Sequence, residues 1–123
     1  MKLAKNFTLS ELSCRCGCAT PPEVLTHLYV LAFCLQRIRD YYQQPVYVNS
    51  GYRCISHNAK VGGASRSFHL QGFAVDIRVQ GVLPAQVFKD LQRLIAIGYI
   101  LAGGLKCYGS FVHYDIRGSL TKF

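Results

Sequence analysis

The chain has 123 residues, half of them hydrophobic, with six cysteines and a formal net charge of +8. That length and apolar content fit one domain, residues 1–123, with a core of its own, and exclude a low-complexity or disordered chain. The longest apolar run, LYVLAFCL, is too short to span a bilayer, and the excess of cations favours an anionic partner without naming one.

The opening, MKLAKNFTLSEL, has cations but no apolar signal core, so synthesis in the cytoplasm is expected. Within it, Thr8 and Glu11 stand at capping-box spacing, which predicts a short helix. Next comes a Cys-rich turn, CRCGC, at residues 14–18. Its alternate spacing is not that of ordinary zinc knuckles, and a cytosolic chain keeps its thiols reduced. Cys14, Cys16 and Cys18 are therefore read as reduced structural thiols. Metal ligation and disulfides are the alternatives, and Cys54 is a further member in either.

PPEVLTHLYVLAFCLQRIRDYYQQ predicts a long helix, with Pro22 in its first turn and Glu23 at its positive end. Val24, Leu28, Leu31, Leu35, Ile38 and Tyr42 repeat at three and four and form its buried stripe. Cys34 belongs to the core, and His27 is read as a packed or surface histidine. PVYVNSGYR predicts a strand ending in a turn, and SHNAKVGGASRS, rich in turn residues, a loop. GFAVDIRV alternates, with Phe73, Val75, Ile77 and Val79 on one face and Ala74, Asp76 and Arg78 on the other. LPAQVFKDLQRLIAIG predicts a second helix, and FVHYDIRG a further alternating strand. In that strand Phe111, His113 and Asp115 oppose Val112, Tyr114 and Ile116.

The expected fold is α+β, a small antiparallel sheet packed on helices by its apolar face. If the two alternating strands are neighbours, Asp76, His113 and Asp115 line the open face, and His69 can fold over the same place. Two histidines and a carboxylate suit zinc with one position left open. A solvated strand face is the alternative reading of the same spacing. No nucleic-acid fingerprint stands in the chain, so no nucleic-acid partner is expected.

The segments NSGYRC, HNAKVGGASRSFHLQGFAVDI and FVHYDIRG resemble the zinc D-alanyl-D-alanine carboxypeptidase family. That family includes phage L-alanyl-D-glutamate endolysins and vancomycin-resistance D,D-dipeptidases, and is related to the hedgehog amino-terminal domain. The resemblance covers residues 7 to 118. Its most specific part is S-x-H-x-x-G-x-A-x-D, met by Ser67, His69, Gly72, Ala74 and Asp76. It implies one catalytic zinc on His69, Asp76 and His113. It implies Arg53 against a substrate carboxylate or the polarised carbonyl, and Ser67 as a substrate anchor or a support of the metal loop. Many members carry an acid three residues before the last ligand, where this chain has Ser110, and no Glu follows Glu23. Asp115 is the remaining candidate for catalytic base, with orientation of a ligand histidine as its alternative role. Tyr108 and His57 are further proton-transfer or oxyanion candidates, and Tyr108 is also read as a substrate contact.

The activity so implied is hydrolysis of peptidoglycan stem peptides, as a D,D-carboxypeptidase or an L-Ala-D-Glu-type endopeptidase. The enzyme would be a monomer without membrane insertion, reaching the cell wall after host lysis or on a phage particle. The alternative function is a zinc-stabilised cell-wall-binding or interaction module without peptidase activity.

Overall fold

A computed structural model describes residues 1–118 and the backbone of residues 121–122. Two short strands, β1 (Lys2–Ala4) and β2 (Phe7–Thr8), pair antiparallel ahead of helix α1 (Leu9–Leu12). The predicted capping box is formed. Thr8 Oγ1 accepts from the Glu11 N–H while the Glu11 carboxylate accepts from the Thr8 N–H. The β1–β2 pair was not anticipated, because strands this short carry too few residues to show alternation.

Helix α2 (Pro22–Tyr42) follows the Cys-rich turn, opens on Pro22 as its first residue and ends at Gln43 in a left-handed conformation. Val24, Leu28, Leu31, Leu35 and Ile38 are buried along one stripe, with Cys34 beside them. Each fully buried leucine there contributes roughly 1.5–3 kcal/mol. Strand β3 (Val46–Ser50) leads to the SGYR turn. The stretch expected to be a loop begins instead with helix α3 (Ile55–Lys60). The residue capping it is Cys54, whose sulfur accepts from the His57 N–H, and cysteine is not among the usual capping signals. A 3₁₀ turn (Phe68–Gln71) then precedes strand β4 (Ala74–Val79), helix α4 (Pro84–Ala96), and strands β5 (Gly104–Cys107), β6 (Val112–Asp115) and β7 (Thr121–Lys122).

The main sheet runs β3-β4-β6-β5-β7. Its pairs are antiparallel except β5 with β7, which is parallel. Strand β5 was not read from sequence: GLKC is four residues long and begins with glycine, so neither length nor alternation announces it. The apolar face carries Val75, Ile77, Leu105, Val112 and Tyr114, all fully buried, with α4 packed against β4, β5 and β6. Helix α2 lies against β1, β2 and β3. The opposite face of β4 and β6 carries the polar groups. There Asp76 is the cross-strand partner of His113, and Ala74 of Asp115. Strand β3 forms one edge of the sheet, where Arg15 Nη2 donates to the Val48 carbonyl oxygen at 2.8 Å. Among the described residues no helix is long and apolar enough to cross a membrane.

Candidate functional site

Cross-strand pairing of Asp76 with His113 sets two polar groups side by side on the open face, and the 3₁₀ turn brings His69 over them. His69 Nε2 lies 3.2 Å and His113 Nδ1 lies 3.1 Å from Asp76 Oδ1. One ligand atom from each of the three falls within 4.8 Å of the others. Metal–ligand bonds of about 2.0–2.1 Å in a tetrahedron give ligand–ligand edges near 3.3 Å, so the spacing fits one ion.

The outer nitrogens determine what the inner ones present. His69 Nδ1 donates to the Gly51 carbonyl oxygen at 2.7 Å, and His113 Nε2 faces the Asp115 carboxylate at 2.8 Å. With those N–H groups directed outward, neutral rings turn bare lone pairs toward Asp76. Three acceptors then converge, an arrangement that only a cation or bound protons can satisfy. Burial alone would raise the Asp76 carboxyl, but the bonds to His113 and His69 outweigh it and hold its pKa at about 2. Burial likewise works against charge on His113, yet its bonds to Asp115 and Asp76 raise its pKa above the ordinary value.

The loop that carries His69 is braced from three sides. Ser67 Oγ accepts from the His69 N–H, and the Arg53 N–H donates to the His69 carbonyl. His27 donates from Nδ1 to the Gln71 carbonyl at 2.6 Å and stacks on Phe73 with ring centroids 4.0 Å apart. Gly51, whose carbonyl orients His69, packs its Cα against the Leu12 carbonyl so closely that a Cβ would lie 2.5 Å from that oxygen.

The three convergent side chains open into a cleft of about 520 Å³, whose other charged lining residues are Arg53, Arg66, Lys106 and Arg117. Asp76 is the one carboxylate among the described residues that line it. A family model of peptidase M15 matches residues 5–115. The chain belongs to the peptidase M15 family. The Zn D-Ala-D-Ala carboxypeptidase of Streptomyces albus G is 35% identical over 79 residues, an alignment that covers 58% of this chain and 31% of the relative. The chain therefore matches about a third of that protein's length.

In this M15 chain Arg53 reaches the cleft with a largely buried side chain. It donates to Asp76 Oδ2 at 3.2 Å, to Ser50 Oγ at 3.0 Å and to Asn58 Oδ1 at 3.4 Å. Ser67 lines the cleft and caps the 3₁₀ turn, while Tyr108 forms the far wall, stacked on Phe111. His57 lies apart, lining a separate hollow with Cys16.

Asp115 is fully buried and does not line the cleft. Its oxygens take the Gly104 N–H at 2.8 Å, Arg117 Nε at 2.8 Å and Nη2 at 2.6 Å, besides facing His113. Burial would raise its pKa, but Arg117, His113 and the Gly104 N–H hold it well below the usual carboxylate range.

Three members of the site were given no role from sequence. Arg117 clasps Asp115 and lies over the Phe68 ring, and Asn58 is buried between Arg53 and the Ala64 carbonyl. Lys106 is the cross-strand partner of His113 on the unread strand β5. The one available signal was the arginine two places after Asp115 in HYDIRG.

Proposed function

We propose that this chain is a zinc peptidase acting on the peptide stems of bacterial peptidoglycan. The observation that carries the reading is the convergence of His69, Asp76 and His113, with outer N–H groups already engaged, at the floor of a cation-rimmed cleft in an M15 chain. The name of the Streptomyces relative supports both the metal and the substrate class. Zinc held by these three residues would supply a polarised carbonyl and a bound water of lowered pKa.

The chain's own residues then have distinct tasks. Arg53 holds the free oxygen of Asp76 and presents its remaining surface to a substrate carboxylate or developing oxyanion. Lys106 and Arg66 give the cleft the sign that suits stem peptides, which carry carboxylates. Ser67 keeps the His69 loop in register, and Tyr108 offers its ring and hydroxyl to the substrate. Asp115, enclosed behind His113, is assigned to fixing that ring's tautomer and not to taking a proton from water. Tyr108, whose phenol carries its proton, is the candidate for donating a hydrogen bond to the developing oxyanion. The same reading has the protein acting as a monomer on the wall, delivered by host lysis or by a phage particle.

A second reading, a zinc-stabilised wall-binding module, draws on one observation: no carboxylate other than Asp76 lines the cleft among the described residues. Digestion of purified peptidoglycan, with and without chelator, separates the two. The peptidase reading expects new amino termini or released D-alanine, abolished by chelator and restored by zinc, and absent from a His69→Ala variant. Mass spectrometry of defined muropeptides then identifies the bond, D-Ala-D-Ala or L-Ala-D-Glu. Wall binding without any product from the zinc-loaded protein would leave the binding module.

A further inference from the structure

A second group of ligand-type side chains lies away from the cleft. Cys14, Cys16, Cys18 and Cys54 bring their sulfurs within 4.8 Å of one another. Cys14 Sγ lies 3.3 Å from Cys16 Sγ and 3.8 Å from Cys54 Sγ, and Cys16 Sγ lies 3.6 Å from Cys54 Sγ. A zinc–sulfur bond of about 2.3 Å gives a tetrahedral sulfur–sulfur edge of about 3.8 Å. These contacts cluster just inside that edge and far beyond the roughly 2.05 Å of a disulfide bond. Disulfides would join the sulfurs two by two, whereas here all four lie within 4.8 Å of one another.

We propose that Cys14, Cys16, Cys18 and Cys54 form a second metal site, a four-thiolate centre for zinc, independent of the His69–Asp76–His113 group. Its surroundings are those of a thiolate site. The Cys54 N–H donates to Cys14 Sγ and the His57 N–H to Cys54 Sγ, both at 3.4 Å. Such N–H groups stabilise ligand sulfurs that have lost their protons. The spacing also acquires a physical reason. A five-residue turn supplies three corners of a tetrahedron, and the fourth arrives from 36 residues further along the chain, counted from Cys18 to Cys54.

The centre would fasten the SGYR turn, whose Arg53 lines the cleft, to the N-terminal segment. Cys54 follows Arg53 directly and caps α3, and just before it the Tyr52 N–H donates to the Leu12 carbonyl. An ion at Cys54 thus holds the SGYR turn, with its Arg53 guanidinium and the Gly51 carbonyl that orients His69, against the N-terminal segment. The role is structural, since all four corners are protein ligands and none is left for a substrate.

The test counts metals in protein purified under reducing conditions without added chelator. The parent should carry about two zinc ions per chain, a His69→Ala/His113→Ala variant about one, and a Cys16→Ser/Cys18→Ser variant about one. Cys16 and Cys18 are exposed, so replacing them leaves the core packing intact. Cobalt gives a readout that does not depend on activity. The cobalt-loaded histidine variant should show sulfur-to-cobalt charge-transfer absorption and tetrahedral visible bands, and the serine variant should lack them. A histidine variant that binds no metal, or binds cobalt without the sulfur bands, overturns the proposal. So does an intact mass of the native protein showing these cysteines joined as disulfides. Should the histidine variant fail to fold, the sulfur bands of the parent, present or absent, decide the question.

Discussion

Replacing Asp115 by Asn separates the two tasks a carboxylate beside His113 can have. The carboxylate takes the Gly104 N–H and Arg117 Nε on Oδ1, and Arg117 Nη2 and the His113 N–H on Oδ2. Asparagine keeps one acceptor oxygen and sets an NH₂ where the other stood, so donor meets donor. His113 can escape by moving its proton to Nδ1, but that is the nitrogen facing Asp76, and a protonated nitrogen cannot bind metal. Metal affinity should fall roughly 10–100-fold, the usual loss when such a partner is removed.

Breaking a buried ion pair costs about 3–5 kcal/mol. Arg117 keeps 21% of its side chain exposed and can turn partly to water. The lower end, about 3 kcal/mol, is therefore expected, or roughly 10–15 °C in melting temperature for a chain of this size. Competition with a chromophoric chelator gives the affinity, and turnover on muropeptides is read with zinc in excess. Positioning predicts weakened binding with turnover recovered to within roughly 3-fold once zinc saturates the site. Unchanged affinity together with turnover still down by about 100-fold or more would refute the argument and make Asp115 the base.

Gly104→Ala should reproduce much of this phenotype without touching a charge. Its Cβ would stand 2.5 Å from Asp115 Oδ2 and 2.7 Å from Arg117 Nη2, so a stability loss of about 1–3 kcal/mol and weaker metal binding are expected in melting and chelator-competition assays. His27→Ala removes the bond to Gln71 and the stack on Phe73 and should cost about 1–2 kcal/mol, with faster metal loss to chelator because the His69 loop is freed. Metal-free and zinc-loaded protein should respond oppositely to alkali. The raised His113 pKa adds stability to the metal-free chain below its unfolded value of about 6.5, and this is lost as pH rises through the folded value. Zinc binding requires the deprotonated ring, so the loaded chain gains over the same interval, and melting curves with chelator and with zinc should diverge. On the acid side, Asp76 contributes stability above about 3.8 that disappears as pH falls through about 2, seen as a falling melting temperature of the metal-free chain.

The neighbourhood of Asp76 and His113 was legible because it depends only on period two and on antiparallel pairing, whereas His69, on a turn, was named as a ligand through the family resemblance. Once GFAVDIRV and FVHYDIRG are strands, Asp76 and His113 must lie on polar faces, and pairing sets them side by side. Which way Asp115 looks was not legible. It shares the face of His113, yet Gly104 and Arg117 enclose it; Gly104 belongs to β5, a strand with too little pattern to be seen, and Arg117 lies two residues past β6. Helix α3 was hidden for a related reason: its cap is a cysteine sulfur, and SHNAKVGG otherwise has the composition of a turn. The grouping of Cys54 with the CRCGC turn, named from sequence only as part of the metal and disulfide alternatives, spans a long stretch of chain, and no local pattern chooses between those alternatives and free thiols.

The placement of Arg15 has a consequence for how the chain behaves among copies of itself. An edge strand with unpaired carbonyls is a template on which another chain can add a strand. Strand β3 is such an edge, and Arg15, held between Cys14 and Cys16, takes the Val48 carbonyl that an incoming strand would need. The Cys-rich turn is thus also a guard on the sheet. When the turn loosens, by loss of its sulfurs or by oxidation, the Val46–Ser50 edge is uncovered, and the first sign of damage would be self-association through that edge while the rest of the sheet remains intact.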